Sequence, residues 1–151
     1  MIITFVGHSS MTVDRNLSKE IREAILSNIK QDAYVTFYCG GYGDFDRHCA
    51  TMCRQLKETI PNSEIIFVTP YIAPSYQKKL KHLIDTELYD TIIYPPIENT
   101  PPRFAITKRN EWMVSQADFI IAYVSHSYGG AYKTLSYAKR KQKAMINLAE
   151  S

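Results

Sequence analysis

Short apolar runs alternate along this chain with longer stretches in which apolar residues recur every three or four positions. Ile2 to Val6 (IITFV) is a β-rich run closed by Gly7. The following DRNLSKEIREAILSNIK sets Leu17, Ile21, Ala24, Ile25 and Ile29 at helical spacing. Tyr34 to Cys39 (YVTFYC) reads as a second strand. Beyond its glycines, Phe45, Cys49, Met52, Cys53, Leu56 and Ile60 mark an amphipathic helix that stops before Pro61. Glu64 to Pro70 is a third strand, Ser75 to Ile84 a weaker helix, and Asp90 to Pro96 a fourth strand stopped by prolines. The proline-rich segment Pro95 to Arg103 continues neither pattern and reads as a loop. Phe104 to Ala117 returns to helical spacing, with Ile106, Asn110, Met113, Val114 and Ala117 on one stripe. Asp118 to Val124 is an almost continuous apolar strand of the kind buried on both faces. SHSYGGA then turns into a helix over Tyr132 to Lys143, and Ala144 to Leu148 closes the chain as a sixth strand. This alternation predicts an α/β fold: a Rossmann-like three-layer sandwich, doubly wound, with a mainly parallel sheet and helices on both faces. No linker, repeat or low-complexity segment interrupts it, so residues 1–151 read as one domain.

Composition narrows the class. An apolar share of 45% and a charged share of 22% are ordinary for globular chains and favour neither disorder nor a membrane protein. No apolar run approaches the ~20 residues of a spanning helix, and no leader is visible, so the expectation is a cytoplasmic protein without a membrane partner. Net charge is +3, and the one dense basic run, Lys139 to Lys143, sits where it complements a helix C-terminus. The chain shows no long basic stripe with interleaved aromatics, so nucleic acid is an unlikely partner on this reading. Cys39, Cys49 and Cys53 lack paired spacing and read as small buried hydrophobes. With four scattered histidines, they leave no metal site and no cofactor expected.

Candidate chemistry gathers at the carboxyl ends of strands, where open parallel sheets bind ligands. Gly7, His8, Ser9 and Ser10 follow the first strand; Gly40, Gly41, Gly43 and Asp44 follow the second; Ser125, His126, Ser127, Gly129 and Gly130 follow the fifth. None is a Walker loop or a GxGxxG turn. The three together offer backbone N–H groups and hydroxyls to a phosphate or ribose. Arg109 suits a phosphate or carboxylate clamp. Asp44 suits a helix N-cap. Asp46 suits either a dipole-favoured first-turn acid or a carboxylate for ribose hydroxyls or glycosyl chemistry. Tyr71 and Tyr128 lie where a base could stack, although eleven tyrosines make packing the commoner role.

FVGHSS, GGYGDFD and the long stretch RNEWMVSQADFIIAYVSHSYGGAYKTLSYAKRKQKAMINL together resemble the SLOG superfamily, which includes the LOG phosphoribohydrolases and the DprA DNA-processing proteins. Within it they are similar to a small bacterial and phage branch of YpsA-like proteins. The likeness spans nearly the whole chain and is most specific from Arg109 to Ala138. In LOG enzymes an arginine-lysine pair precedes an apolar strand and a P-G-G-x-G-T-x-x-E loop. Here Arg109 matches the arginine, Asn110 replaces the lysine, and Leu135 and Ser136 occupy the glutamate-bearing positions. The resemblance therefore implies a nucleotide-binding domain for a nucleotide-derived small molecule, such as ADP-ribose-like compounds or a nucleoside monophosphate, sensed or sequestered in a cleft. It also implies a possible homodimer. The alternative is an N-glycosidic enzyme, a LOG-like phosphoribohydrolase or nucleoside deoxyribosyltransferase type, with Asp46 or Glu111 as the catalytic acid and Arg109 and Asn110 holding the nucleotide.

Overall fold

A computed structural model of the chain describes residues 1–30, 33–85 and 88–150, the side chains of 83–85 excepted. Strands and helices alternate throughout: β1 (Ile2–Gly7), α1 (Arg15–Ser27), β2 (Val35–Cys39), α2 (Asp44–Gln55), β3 (Ser63–Val68), α3 (Pro74–Asp85), β4 (Thr91–Ile93), α4 (Ala105–Gln116), β5 (Phe119–Tyr123), α5 (Gly129–Arg140) and β6 (Met145–Asn147). The strands form one sheet in the order β4-β3-β2-β1-β5-β6, and every pairing is parallel.

Strand side chains alternate between faces, and this alternation divides the core. Ile3, Phe5, Phe37, Ile65 and Ile121 point to one side, where Ile21 and Ile25 of α1 and Phe45, Cys49 and Cys53 of α2 cover them. Val6, Ile120 and Ala122 point to the other, under Val114 of α4 and Leu135 and Ala138 of α5. All six residues of the α2 stripe are buried, and the three cysteines among the core residues are free thiols. Right-handed crossovers demand this layering. Steps from β1 to β4 move one way across the sheet and place α1, α2 and α3 on one face. The return from β4 to β5 crosses back and places α4 and α5 on the other. The direction of winding thus reverses between β1 and β5, which is where such sheets open a crevice.

Three local features depart from the pattern reading. The fourth strand pairs over only three residues, because Pro95 and Pro96 cannot extend the ladder. Helix α4 buries Met113 and Val114 as expected, with Ala117 just beyond it, but in its first two turns Ala105 and Arg109 are inward in place of Ile106 and Asn110, and Ile106 is 40% exposed. Helix α5 begins at Gly129, three residues earlier than the apolar spacing indicates, and its first turn is made of the glycines expected in a loop. At its far end Lys139 and Arg140 of the basic run lie in the last turn of α5, as expected, and Lys143 acts on a neighbouring helix. Lys143 Nζ donates to the carbonyls of Ser115 and Ala117 at 2.9 and 3.1 Å and caps the C-terminus of α4.

Candidate functional site

A cavity of about 380 Å³ opens at the carboxyl edge of the sheet, between the ends of β1 and β5. Its floor includes Thr4, whose hydroxyl donates to Tyr38 O at 2.9 Å, and Met113. Its size lies in the range of small-ligand sites.

One wall comes from the loop after β1. Gly7 is there for packing, since a Cβ would lie 2.2 Å from the Phe45 ring. The loop is tied to α2 by two bonds: Asp44 N donates to Ser9 O at 2.8 Å, and Met11 N donates to Asp44 Oδ2 at 3.0 Å. Asp44 is therefore the first helical residue and not the N-cap. Gly43 holds the cap position at a φ of +90°, with Ser9 too close to admit a side chain. The carboxylate of Asp44 binds the neighbouring loop instead of its own helix end.

Arg109 and Asp46 sit at the back of the cavity. Arg109 is only 2% exposed, and its Nη1 donates to Gly40 O at 2.8 Å and Val68 O at 2.7 Å, bridging the ends of β2 and β3. Its Nε donates to Asn110 Oδ1 at 2.8 Å, and the guanidinium lies 5.5 Å from the Tyr42 ring centroid. Nη2 has no hydrogen-bond partner among the described residues. A Cβ on Gly40 would lie 3.1 Å from this guanidinium, so glycine there makes room for the arginine. Burial lowers the Arg109 pKa, opposed by the negative charge of Asp46. Asp46 accepts the N–H groups of Gly40, at 3.1 Å, and Gly41. Part of the residue reaches the cavity, yet burial of its carboxylate pushes the pKa up. The Gly40 bond, the Arg109 charge and the Gly41 bond oppose that rise without cancelling it.

The opposite wall is the start of α5. Tyr128 is its N-cap residue and supplies no side-chain bond, so the first-turn N–H groups of Gly129 and Gly130 are uncapped by side chains. A Cβ on either glycine would meet nothing within 4 Å, so neither is glycine for lack of room. Gly129 needs its φ of +87°; Gly130 has no such need. Beside them His8, His126 and Tyr128 form a three-ring stack, with centroids 3.9 Å apart at both steps. Ser125 N donates to His8 Nε2 at 2.9 Å, which places the His8 proton on Nδ1. Burial and the neighbouring His126 lower the His8 pKa. Tyr128 ends the stack and is 69% exposed.

Of the residues singled out in sequence, the cavity brings together Gly7, His8, Ser9, Ser10, Gly40, Asp46, Arg109, Asn110, His126, Tyr128, Gly129 and Gly130. Gly41, Gly43, Asp44, Ser125 and Ser127 do not line it. Gly41 is packed against Phe67, and Ser125 acts through its bonds to His8. Glu111 is also elsewhere, pairing with Lys108 at 3.7 Å in a separate groove, so the two candidate acids do not share a site. Leu135, at a position where a LOG-type glutamate would be expected, is core. Tyr42, the central residue of the GGYGD turn, lines the cavity as well, and so does Thr134 of α5, which no sequence signal marked.

No protein-family model and no curated protein matches the sequence. The structure does match solved ones. The structural-genomics target TM1055 superposes with a TM-score of 0.57 at 11% identity, over 96% of this chain and 72% of that one. DNA processing protein A (DprA) from Streptococcus pneumoniae gives 0.63 at 17% identity over 95% of this chain. DprA from Helicobacter pylori gives 0.58 at 16% over 100%. The chain spans about half (48%) of the S. pneumoniae protein and 68% of the H. pylori one. The fold is thus the Rossmann-like fold that the resemblance to the SLOG superfamily implied, whereas the YpsA-like branch rests on the sequence motifs alone. One expectation is overturned. Nucleic acid was set aside as a partner, but two structures of this fold are DNA-processing proteins, one described by its single-stranded DNA binding mode, so nucleic acid stays among the partner classes. No helix among the described residues is long and apolar enough to cross a membrane.

Proposed function

We propose that the cavity binds a nucleotide or nucleotide-derived molecule, a nucleoside monophosphate or an ADP-ribose-like compound, and that the protein senses or sequesters it. The observation that carries this reading is the start of α5. Two glycines whose side-chain positions are empty expose uncapped N–H groups, at the positive end of a helix dipole, to a cavity at the sheet's switch point. A phosphate is the ligand such a helix start attracts. The ends of the cavity differ in sign. The α2 start brings Asp46 to the cavity, a carboxyl group that suits ribose hydroxyls better than an anion. The free Nη2 of Arg109 adds positive charge from the back, and the exposed face of Tyr128 offers a base a stacking partner. Binding fits this site better than glycosidic cleavage. Both Asp46 oxygens already accept backbone N–H groups, and Glu111 lies in another groove.

A second reading, the end of a single-stranded nucleic acid in the same cavity, is supported by the two DprA neighbours. The test is a thermal-shift panel of AMP, ADP-ribose, cyclic ADP-ribose forms, NAD and deoxynucleoside monophosphates, each mixture then resolved by chromatography. A ligand at ~100 times its dissociation constant adds ~2.7 kcal/mol, which is a rise of roughly 5–10 °C for a chain of this size. Ligand recovered intact supports a binding module; a released base would make the protein an N-glycosidic enzyme. Gly130→Ala is expected to leave the unliganded melting temperature equal or slightly higher, since alanine favours helix, and to weaken AMP about tenfold. Equal AMP affinity in the variant would remove the α5 start from the site.

A further inference from the structure

The groove holding Glu111 runs between α4 and α5 on the outer side of the cavity. It encloses about 490 Å³ and shares the lining residues Ile106, Asn110, Gly130 and Thr134 with the cavity, so the two adjoin. Its chemistry differs from that of an ordinary solvated helix face. Tyr132 is 39% exposed, and the Tyr137 ring carries Arg140 at 5.8 Å and Lys141 Nζ at 5.5 Å. Neither Lys133 nor Arg140 has a carboxylate partner among the described residues, and the acid lining the groove, Glu111, is paired with Lys108. The groove therefore combines the exposed ring of Tyr132 and the half-buried ring of Tyr137 with cations that have no carboxylate partner among the described residues, Lys133 one turn from the helix start assigned to phosphate and Arg140 at the far end of α5. This is the pairing of stacking surface and positive charge that recognises an unpaired base with its phosphate.

We propose that this groove is a second subsite, which receives a nucleoside joined through phosphate to the nucleotide in the cavity, so that the ligand carries two nucleoside units. This rests on the reading of the cavity given above. Lys133, one turn from the helix start, would meet the linking phosphate, Tyr132 would face the second base, and Arg140, over Tyr137, would meet the far side of the second nucleoside. The same chemistry is presented by a small pyrophosphate-linked dinucleotide and by the end of a single strand.

Calorimetric titration of the full chain separates these outcomes, with AMP, pyrophosphate-linked diadenosine, a 5′-phosphorylated adenosine dinucleotide and a ten-residue oligoadenylate as probes. The expected result is at least about tenfold tighter binding of a two-nucleoside probe than of AMP. In Tyr132→Ala with Arg140→Gln that gain is lost while AMP affinity is unchanged. Preference for the pyrophosphate-linked probe identifies a small dinucleotide. Preference for the phosphodiester probe, with a further gain for the decamer, identifies a strand end. AMP binding without any gain from the second unit, or a gain that survives in the double variant, overturns the subsite alone. No binding by any probe overturns the reading of the cavity together with it.

Discussion

Arg109 performs a structural task that its sequence position did not reveal. A guanidinium in the middle of a helix usually reaches solvent, because burying an unpaired cation is costly. Here the carbonyls of Gly40 and Val68, left over at the ends of two parallel strands, accept from Nη1, and Gly40 lacks the side chain that would block the approach. Arg109→Ala would strand both carbonyls and leave a void at the back of the cavity. Unsatisfied buried groups cost about 1–3 kcal/mol each, so the two carbonyls together cost about 2–6 kcal/mol and a fall in melting temperature of roughly 4–24 °C is expected. Arg109→Lys, which cannot reproduce the planar fork, should recover only part of it. An unchanged melting temperature for the alanine variant would show that the strand-end bonds contribute nothing to stability. Because the residue both holds the strand ends and lines the cavity, its removal does not isolate a ligand contact, which is why Gly130 is the better probe of binding.

Among the elements, α4 and α5 depend on each other. Helix α5 opens at the cavity with an uncapped glycine turn, and just beyond its far end Lys143 bonds the last carbonyls of α4. Lys143→Ala should cost about 1 kcal/mol, the usual worth of a charged group at a helix C-terminus. Hydrogen exchange should show the loss as faster exchange at Gln116 and Ala117, with β1 unaffected. Uniformly faster exchange across the sheet would contradict this local role. The stripe of α4 shows how far an element is legible on its own. Apolar spacing located the helix but chose Ile106 and Asn110 for its inner face. The buried positions are Ala105 and Arg109, because the strand-end carbonyls make burial of the arginine favourable while the cavity mouth leaves Ile106 open.

For the whole molecule, the dependence of stability on pH on the acid side follows from His8 and two aspartates. The lowered His8 pKa means that its contribution is complete above the unfolded value of 6.5 and is lost as pH falls through the folded value. Asp90 behaves in the same sense further down. Burial works against its ionisation, but the Ile65 N–H bond, Lys57 and Arg54 lower its pKa overall, so its contribution is lost as pH falls below the unfolded 3.8 toward the folded value. Asp46 acts oppositely. With its pKa raised, its contribution is complete below 3.8 and is lost as pH rises through the folded value. As pH falls below about 6.5 the His8 loss should therefore appear as declining stability. His8→Gln, which keeps an acceptor for Ser125 N–H without titrating there, should flatten the decline. Melting curves across that range test this, and an equal slope in wild type and variant would show that His8 is not its source.

The sequence alone determined the alternation of strands and helices, the two-sided burial of the central strands and the three loops at one edge of the sheet. Each of these follows from local periodicity and glycine placement, which every window of the chain displays by itself. Tertiary structure decided which loop glycines face open space and which are packed against Phe45, Arg109, Phe67 and Ser9. It also decided where Arg109 is buried, and it separated Asp46 from Glu111. Those outcomes depend on what the winding reversal between β1 and β5 brings close across the fold, over separations that no local pattern records.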